Sequence, residues 1–199
     1  MHVAIRRYTV DADSTDEIQG RVDDNFVPIV SGVPGFVAYY LLDSGDGVLA
    51  SVSVFESREG VEELNKRAAD WVKEELSSLL PSSPEVTVGE VGVHELGGGT
   101  EPVGYASIRL YQINQGATHE ALRQFSEGIV PTLKDQPGFV EYYGLEAESE
   151  IVALNFFEGL AEAEESNRVA AEYVEENLSS LLPLSPTITV GKIVVQNSE

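Results

Sequence analysis

Hydrophobic and polar positions alternate with different periods along the first hundred residues. Four segments rich in β-branched and aromatic residues predict strands, at residues 3–10, 36–42, 48–55 and 85–93. Two segments with apolar residues at helical spacing predict helices, at residues 15–30 and 58–80. Pro28 is expected to kink or stop the first helix, and Pro81 to end the second. The predicted order is β-α-β-β-α-β.

The same pattern occurs a second time. A shift of 103 residues aligns Pro-Gly-Phe-Val-x-Tyr-Tyr at 34–40 with the identical motif at 137–143. A shift of 102 residues aligns Leu-Ser-Ser-Leu-Leu-Pro at 76–81 with the same run at 178–183. We interpret the chain as a tandem duplication. Repeat 1 covers residues 1–94, a glycine-rich linker residues 95–104, and repeat 2 residues 105–199.

The order of elements in each repeat predicts the fold class. Two short βαβ-type units joined by a hairpin form a split βαβ, so each repeat should be a ferredoxin-like domain of the α+β class. Helices cover only one face of such a sheet, which leaves the other face open. We therefore expect the two domains to cover each other's open faces as an intramolecular pseudo-dimer, a pseudo-dimeric α+β barrel. Further self-association is left open.

Charge narrows the range of partners. Asp and Glu number 34 against 12 Lys and Arg, a formal net charge of -22. This charge repels phosphate, so we expect neither nucleic acid nor an anionic membrane as partner. The acidic excess with few lysines is typical of adaptation to a salt-rich cytoplasm. An ordinary acidic protein and a surface that docks a basic partner are the alternatives.

Composition also excludes some chemistry. The chain has no cysteine, which excludes disulfides, thiolate metal sites and a cysteine nucleophile. No apolar run approaches the ~20 residues needed to cross a bilayer. The N-terminus has no secretion signal, so we predict a cytoplasmic protein.

Two asparagines are the first candidate site residues. Asn65 and Asn167 interrupt the apolar stripe of the long helix at equivalent positions of the two repeats. One interpretation is a structural amide that bonds the backbone at a strand end. The other is an amide that faces a ligand, which predicts a cavity between sheet and long helix in each repeat.

Aromatic and basic residues complete the candidate ligand-binding set. Its other members are Trp71, Tyr173, Tyr39, Tyr40, Tyr142, Tyr143, Arg6 and Arg109. Strand alternation puts Phe36 and Tyr40 on one face and Tyr39 on the other. The strand arginines must be paired or solvated. One expectation is an internal ion pair, with Glu141 as the partner in repeat 2, and the other is an anchor for an anionic or phenolic ligand.

Histidines give no strong metal signal. His2 and His94 could be neighbours at one end of a sheet, but their counterparts in repeat 2 are Tyr105 and Gln196. We therefore interpret His2, His94 and His119 as surface residues and predict no metal site.

The motif Pro-Gly-Phe-x-x-Tyr-Tyr, followed by a hairpin and a long helix with an asparagine and an aromatic residue, resembles the antibiotic biosynthesis monooxygenase-like superfamily. The resemblance covers nearly all of both repeats and implies a dimeric α+β barrel. It implies a cofactor-independent oxygenase that acts on a small aromatic or polyketide-like compound. Oxygenases of that superfamily have an Asn and a Trp four residues apart on one helix face, whereas here Ala69 follows Asn65 at that spacing. The alternatives are a non-catalytic small-ligand-binding protein and a structural protein whose cavities are filled by side chains.

Overall fold

The chain folds into two compact units in a computed structural model that describes residues 1–98, 102–114 and 116–198. Unit 1 comprises Met1–Glu90 and Ile193–Glu199, and unit 2 comprises Val91–Lys192. The strands are β1 (His2–Thr9), β2 (Phe36–Asp43), β3 (Val48–Phe55), β4 (Glu85–Leu96), β5 (Tyr105–Gln112), β6 (Phe139–Ala147), β7 (Glu150–Phe157) and β8 (Thr187–Ser198). The α-helices are α1 (Thr15–Arg21), α2 (Val27–Ser31), α3 (Arg58–Trp71), α4 (Thr118–Gln124), α5 (Val130–Lys134) and α6 (Leu160–Asn177).

Both units have the same antiparallel strand order. In unit 1, β1 pairs with β3 and β4, and β2 pairs with the other side of β3, which gives β4-β1-β3-β2. In unit 2, the corresponding order is β8-β5-β7-β6. With a helical segment after the first and third strands, this is the ferredoxin-like βαββαβ topology. The predicted fold class, α+β with two ferredoxin-like domains, is confirmed, whereas their face-to-face packing stays a prediction.

Each unit buries its core between the sheet and the helices. In unit 1 the long helix α3 contributes a buried stripe: Val61, Leu64, Ala68 and Trp71. Helical spacing from Val61 predicts a stripe through Asn65 and Val72, but the observed stripe is rotated from it. Leu64 and Trp71 are buried in the core, whereas Asn65 and Val72 are only partly buried. In unit 2 the buried stripe of α6 is Ala163, Ser166, Ala170 and Val174.

Pro28 does not end the first helix. A π-helical turn, Val22–Phe26, follows α1, and Pro28 lies in the first turn of α2. Proline lacks an N–H and clashes with the carbonyl four residues earlier, so a wider turn before it lets the chain remain helical. Unit 2 repeats the arrangement, with a π-helical turn at Phe125–Ile129 before Pro131.

The ends of three elements differ from the predictions. A π-helical turn, Val72–Leu76, follows α3, and α6 ends at Asn177, so neither helix reaches its Leu-Leu-Pro motif. Strand β4 continues to Leu96, and the Gly97 N–H donates to the Val140 carbonyl at 2.7 Å. The first residues of the predicted linker therefore extend a strand in unit 2. Residues 99–101 of that linker lie outside the described residues.

A bulge reverses the predicted faces of β2. The register shifts between Phe36 and Ala38, so the extra residue changes the phase of the alternation. Phe36 and Tyr39 consequently share the core face, and the prediction that Phe36 and Tyr40 lie together was wrong. The same shift between Phe139 and Glu141 places Phe139 and Tyr142 in the core of unit 2.

Candidate functional site

Each unit contains a cavity bounded by its first strand, its long helix and the segment that leads into its last strand. The cavity of unit 1, called cavity 1, has a volume of about 730 Å³, and that of unit 2, called cavity 2, about 420 Å³. Cavity 1 is lined by Arg6, Tyr8, Asn65, Ala68, Ala69, Val72, Lys73, Ser77, Leu80, Ser82, Ser83, Pro84 and Val86. Cavity 2 is lined by Arg109, Tyr111, Asn167, Ala171, Val174, Glu175, Ser179, Leu182, Pro183, Leu184, Ser185, Pro186 and Ile188. Both volumes lie within the range of ~300–1,000 Å³ that is usual for small-molecule sites.

An arginine and an asparagine are bonded to each other in the wall of each cavity. In unit 1 the Arg6 Nη2 donates to Asn65 Oδ1. In unit 2 the Arg109 Nη1 donates to Asn167 Oδ1 at 2.7 Å. Both asparagine oxygens are therefore bonded to a side chain of the first strand and not to a strand-end backbone group. The structure brings together four of the residues proposed from the sequence, in two matched pairs.

Strand geometry explains why the arginines face the cavities. Side chains two residues apart on a strand share a face. Arg6 and Tyr8 on β1 both line cavity 1, and Arg109 and Tyr111 on β5 both line cavity 2. The alternation of side chains along a strand predicts that Tyr8 and Tyr111 share the arginine face, although neither was among the candidate residues.

Both guanidinium groups are buried without a carboxylate partner. Arg6 is 3% exposed and Arg109 1% exposed, and neither forms an ion pair within the part of the chain that the structure describes. Burial lowers the pKa of Arg6, and it raises the pKa of Tyr8 and of Tyr39 near that guanidinium. A buried charge without a counterion is costly. The arginines therefore give each cavity a local positive potential in a strongly acidic chain.

The predicted partner of Arg109 was wrong. Glu141 accepts hydrogen bonds from Tyr143 Oη at 2.6 Å and pairs with His94 Nε2 at 2.7 Å. The His94 ring stacks on Tyr143 at a centroid distance of 4.5 Å. Glu141 alternates with Tyr142, whose side chain lies in the helix-side core, so Glu141 is on the opposite face from Arg109.

Unit 2 surrounds its arginine–asparagine pair with extra polar groups. Asn167 Oδ1 also accepts from Ser107 Oγ at 2.6 Å, and Arg109 Nη1 approaches Ser166 Oγ at 3.4 Å. The repeat alignment pairs these serines with Ala4 and Leu64 in unit 1. Neither serine was predicted from the sequence. The signal that could have identified them is that each is aligned with an apolar residue in the other repeat.

Further buried polar atoms lie on the same face of the unit 2 sheet. Asn155 is in register with both Ser107 and Tyr142. The Asn155 amide, the Tyr142 hydroxyl and the Arg109 Nε have no hydrogen-bond partner among the residues described. Burial raises the pKa of Tyr142, which keeps its hydroxyl protonated. Asn155 was also missed, and Ser53 is its counterpart in unit 1.

The remaining aromatic candidates do not line either cavity. Trp71 is 8% exposed and packs on Phe26 at a centroid distance of 4.8 Å, and Tyr39 packs edge-on against the same ring. Tyr173 Oη donates to the Gln124 carbonyl at 3.0 Å. Tyr40, Tyr142 and Tyr143 are buried away from both cavities. Of these side chains, Tyr39 and Trp71 belong to the core of unit 1, and Tyr142 and Tyr173 to that of unit 2.

Metal-ligand clusters and membrane-spanning helices are both absent from the described ranges. No group of three or more His, Asp or Glu side chains there could hold a metal ion. No helix there is both long enough and apolar enough to span a membrane.

Comparisons with known proteins agree with this architecture. Residues 1–69, which include Arg6 and Asn65, match the family described as antibiotic biosynthesis monooxygenase. No functionally curated protein matches the sequence significantly.

Solved structures extend the likeness in fold to both units. A candidate monooxygenase from Fusobacterium nucleatum subsp. nucleatum ATCC 25586 is similar over 100% of this chain and 94% of its own, with a TM-score of 0.77 and 9% identity. A candidate monooxygenase from Lactobacillus acidophilus NCFM is similar over 99% and 95%, with a TM-score of 0.72 and 11% identity. An anthrone oxidase-like protein is similar over 99% and 92%, with a TM-score of 0.69 and 15% identity. At these identities the likeness shows a shared fold over both units, and the family match is confined to residues 1–69.

Proposed function

We propose that the chain is an oxygenase that binds a small aromatic or polyketide-like compound in cavity 1. The observation that carries the proposal is the buried Arg6 guanidinium, bonded to Asn65 in the wall of a cavity of about 730 Å³. Most of the other lining groups are apolar or small. Such a cavity suits a flat apolar ring system with one oxygen atom directed at the guanidinium.

In the reaction proposed for this cavity, the substrate itself supplies the electrons that reduce O₂. A methylene group conjugated to a phenolic or carbonyl oxygen loses a proton to solvent water and becomes a carbanion whose charge is shared with that oxygen. Arg6 stabilises this charge in a buried setting, and Asn65 holds the guanidinium in place. Overall, CH₂ and O₂ become C=O and H₂O, so O₂ accepts four electrons from the substrate and no added reductant is needed.

Oxygen consumption with anthrone as the probe tests this function. We expect the chain to accelerate O₂ uptake above the spontaneous rate and to transfer one ¹⁸O atom from ¹⁸O₂ into the product. Arg6→Met should lower kcat/KM about a hundredfold, because removal of one donor to a developing oxyanion costs on that order.

The matched control is Arg109→Met, which removes the equivalent guanidinium from cavity 2 and should leave turnover in cavity 1 largely unchanged. Circular dichroism checks that both variants are folded. Uptake no faster than the spontaneous reaction would contradict the oxygenase proposal.

A specific observation favours a second function, non-catalytic binding of the same ligand. Among the described residues, no Asp, Glu or His lines cavity 1, so no side chain that titrates near neutral pH is present to accept the substrate proton. Ligand binding without oxygen consumption would favour this alternative. The open cavities argue against a purely structural role, in which side chains would fill them.

We also infer that the chain arose by duplication of one ferredoxin-like module. Three local features recur at equivalent positions: the strand order, the bulge in the second strand, and the π-helical turn before Pro28 and Pro131. Such irregularities are not required by the topology, so their recurrence supports common descent. The domain bounds 1–94 and 105–199 remain part of this proposal.

We further propose that the acidic composition is an adaptation to concentrated salt. Several exposed arginines are already paired with glutamates on their own helices, so the excess of acidic groups is mostly unpaired. Salt at molar concentration shortens the Debye length to about 3 Å and screens their mutual repulsion. We expect the melting temperature in 3 M KCl to exceed that in 0.1 M KCl by about 10 °C, a gain of a few kcal/mol for a chain of this size.

Thermal unfolding followed by circular dichroism at the two KCl concentrations tests this expectation. Sucrose, which is uncharged, serves as the control for general solvent effects. Equal melting temperatures at 0.1 and 3 M KCl would contradict the proposed adaptation.

A further inference from the structure

We propose that the two cavities select ligands by charge, and that Lys73 and Glu175 set the difference. Cavity 1 would take anionic aromatic compounds, such as carboxylates or phenolates, and cavity 2 would not. This inference rests on the proposed function, because it defines the substrate class of cavity 1.

Lys73 and Glu175 occupy equivalent positions in the two repeats. The shift of 102 residues that aligns the ends of the long helices also aligns this pair. Lys73 lies in the π-helical turn Val72–Leu76 and lines cavity 1, whereas Glu175 lies in α6 and lines cavity 2. Lys73 is one of only four lysines in the chain. The duplicated position therefore carries opposite charges at two otherwise similar sites.

The charges that line the two cavities differ in sum. Cavity 1 has Arg6 and Lys73, and no Asp or Glu lines it among the described residues. Cavity 2 has Arg109 and Glu175, whose charges cancel. The whole chain carries a formal charge of -22, so a cavity with two cations and no carboxylate is a local exception. A ligand anion there gains from both cations, and the buried one is weakly screened.

Hydrogen bonding to the arginines differs in the same direction. Arg109 is bonded to Asn167 and lies near Ser166. Arg6 donates to Asn65 through Nη2, while its Nη1 has no partner among the described residues. Arg109 Nε has no partner among those residues either, so the difference lies in Ser166 Oγ, whose counterpart in unit 1 is Leu64. Arg6 therefore has one acceptor oxygen fewer nearby, which leaves more of its potential for a bound anion.

Binding of two probes of nearly equal shape tests the inference. Anthracene-2-carboxylate is anionic, anthracene-2-carboxamide is neutral, and both can be followed by fluorescence. The titrations use the lowest salt concentration at which circular dichroism shows the chain to be folded. We expect the carboxylate to bind with a stoichiometry of one and at least tenfold more tightly than the carboxamide.

Three variants assign this preference to the residues named. Lys73→Glu should weaken carboxylate binding about tenfold and leave carboxamide binding unchanged, with a smaller effect at higher salt. Lys73→Gln, which removes the positive charge without adding a negative one, should change the logarithm of the carboxylate affinity by about half as much. Lys66→Glu is the matched control, because Lys66 is exposed on α3, does not line the cavity, and changes the net charge equally. Glu175→Lys should create a second carboxylate site, which raises the stoichiometry toward two.

The outcomes distinguish a failure of charge selection alone from a failure of the proposed function. Equal affinity for the two probes, or equal effects of Lys73→Glu and Lys66→Glu, would overturn charge selection while leaving a ligand-binding cavity in place. A failure of both probes to bind would overturn the aromatic-binding proposal and this inference with it. Charge-selective binding without oxygen uptake would support the inference and contradict only the oxygenase activity.

Discussion

Substitution of Asn167 by leucine is expected to destabilise the chain by about 4 kcal/mol. The Asn167 oxygen accepts from both Ser107 Oγ and Arg109 Nη1, and leucine of similar size accepts from neither. A buried donor left unpaired costs ~1–3 kcal/mol, and a buried charge that loses its partner costs more. Urea unfolding at a fixed salt concentration, followed by circular dichroism, measures this loss.

Two variants test the cause of that loss. Asn167→Asp keeps an acceptor oxygen at the same place and adds a negative charge beside Arg109, so its stability should stay close to that of the parent chain. Asn65→Leu removes the acceptor of Arg6 Nη2 and should cost about 1–2 kcal/mol, because a single hydrogen bond to a charged group is lost. Equal losses for Asn65→Leu and Asn167→Leu would show that the extra polar groups of unit 2 do not hold this network together.

The order of elements could be predicted from the sequence because its signals are local. Changes in the spacing of hydrophobic residues mark the strands and helices. Because the motifs recur, the boundaries of each element can be located independently in both repeats. The shared face of Arg6 and Tyr8 could also be predicted, since β1 keeps its register against β3 over its whole length. Asn65 lines a cavity, as a polar residue in the predicted helix stripe suggested, although the buried stripe itself runs through Leu64 and Trp71.

Other features depend on geometry that the sequence does not encode locally. One extra residue between Phe36 and Ala38 reverses the alternation that follows it, so Tyr39 shares a face with Phe36, as was expected of Tyr40. A π-helical turn likewise shifts the helix phase by one residue, which is how the chain continues through Pro28. Neither irregularity has a residue signature of its own.

The partner of Arg109 illustrates a failure of a different kind. Glu141 was a reasonable choice by charge, but the bulge at Phe139 and Glu141 sets which face each residue occupies. The neutral Asn167 takes the place of the expected carboxylate beside Arg109. Charge pairing cannot identify such a site, because the site is defined by a missing counterion. Because the arginine of each cavity has no carboxylate partner, it is the residue that best indicates a ligand-binding site there.

Substitution of Gly128 by alanine is expected to destabilise the chain by about 2–3 kcal/mol, although alanine is the better helix former. Gly128 lies in the π-helical turn Phe125–Ile129, and a methyl group there would overlap the Tyr173 hydroxyl and ring. Tyr173 is held in place by its hydrogen bond to the Gln124 carbonyl. Overpacking of a well-packed contact typically costs ~1–3 kcal/mol, which exceeds the gain in helix propensity.

Gly20→Ala is the matched control for this prediction. Gly20 is exposed in α1, and a methyl group added there would meet no atom within 4 Å. Alanine should therefore stabilise the chain by about 0.5–1 kcal/mol at that position. Urea unfolding measures the stability of both variants. A double-mutant cycle adds Tyr173→Ala and the double variant Gly128→Ala, Tyr173→Ala. If the Tyr173 contact is the cause, Gly128→Ala should cost almost nothing in the Tyr173→Ala background, whereas an undiminished cost there would assign the effect to the π-helical backbone itself.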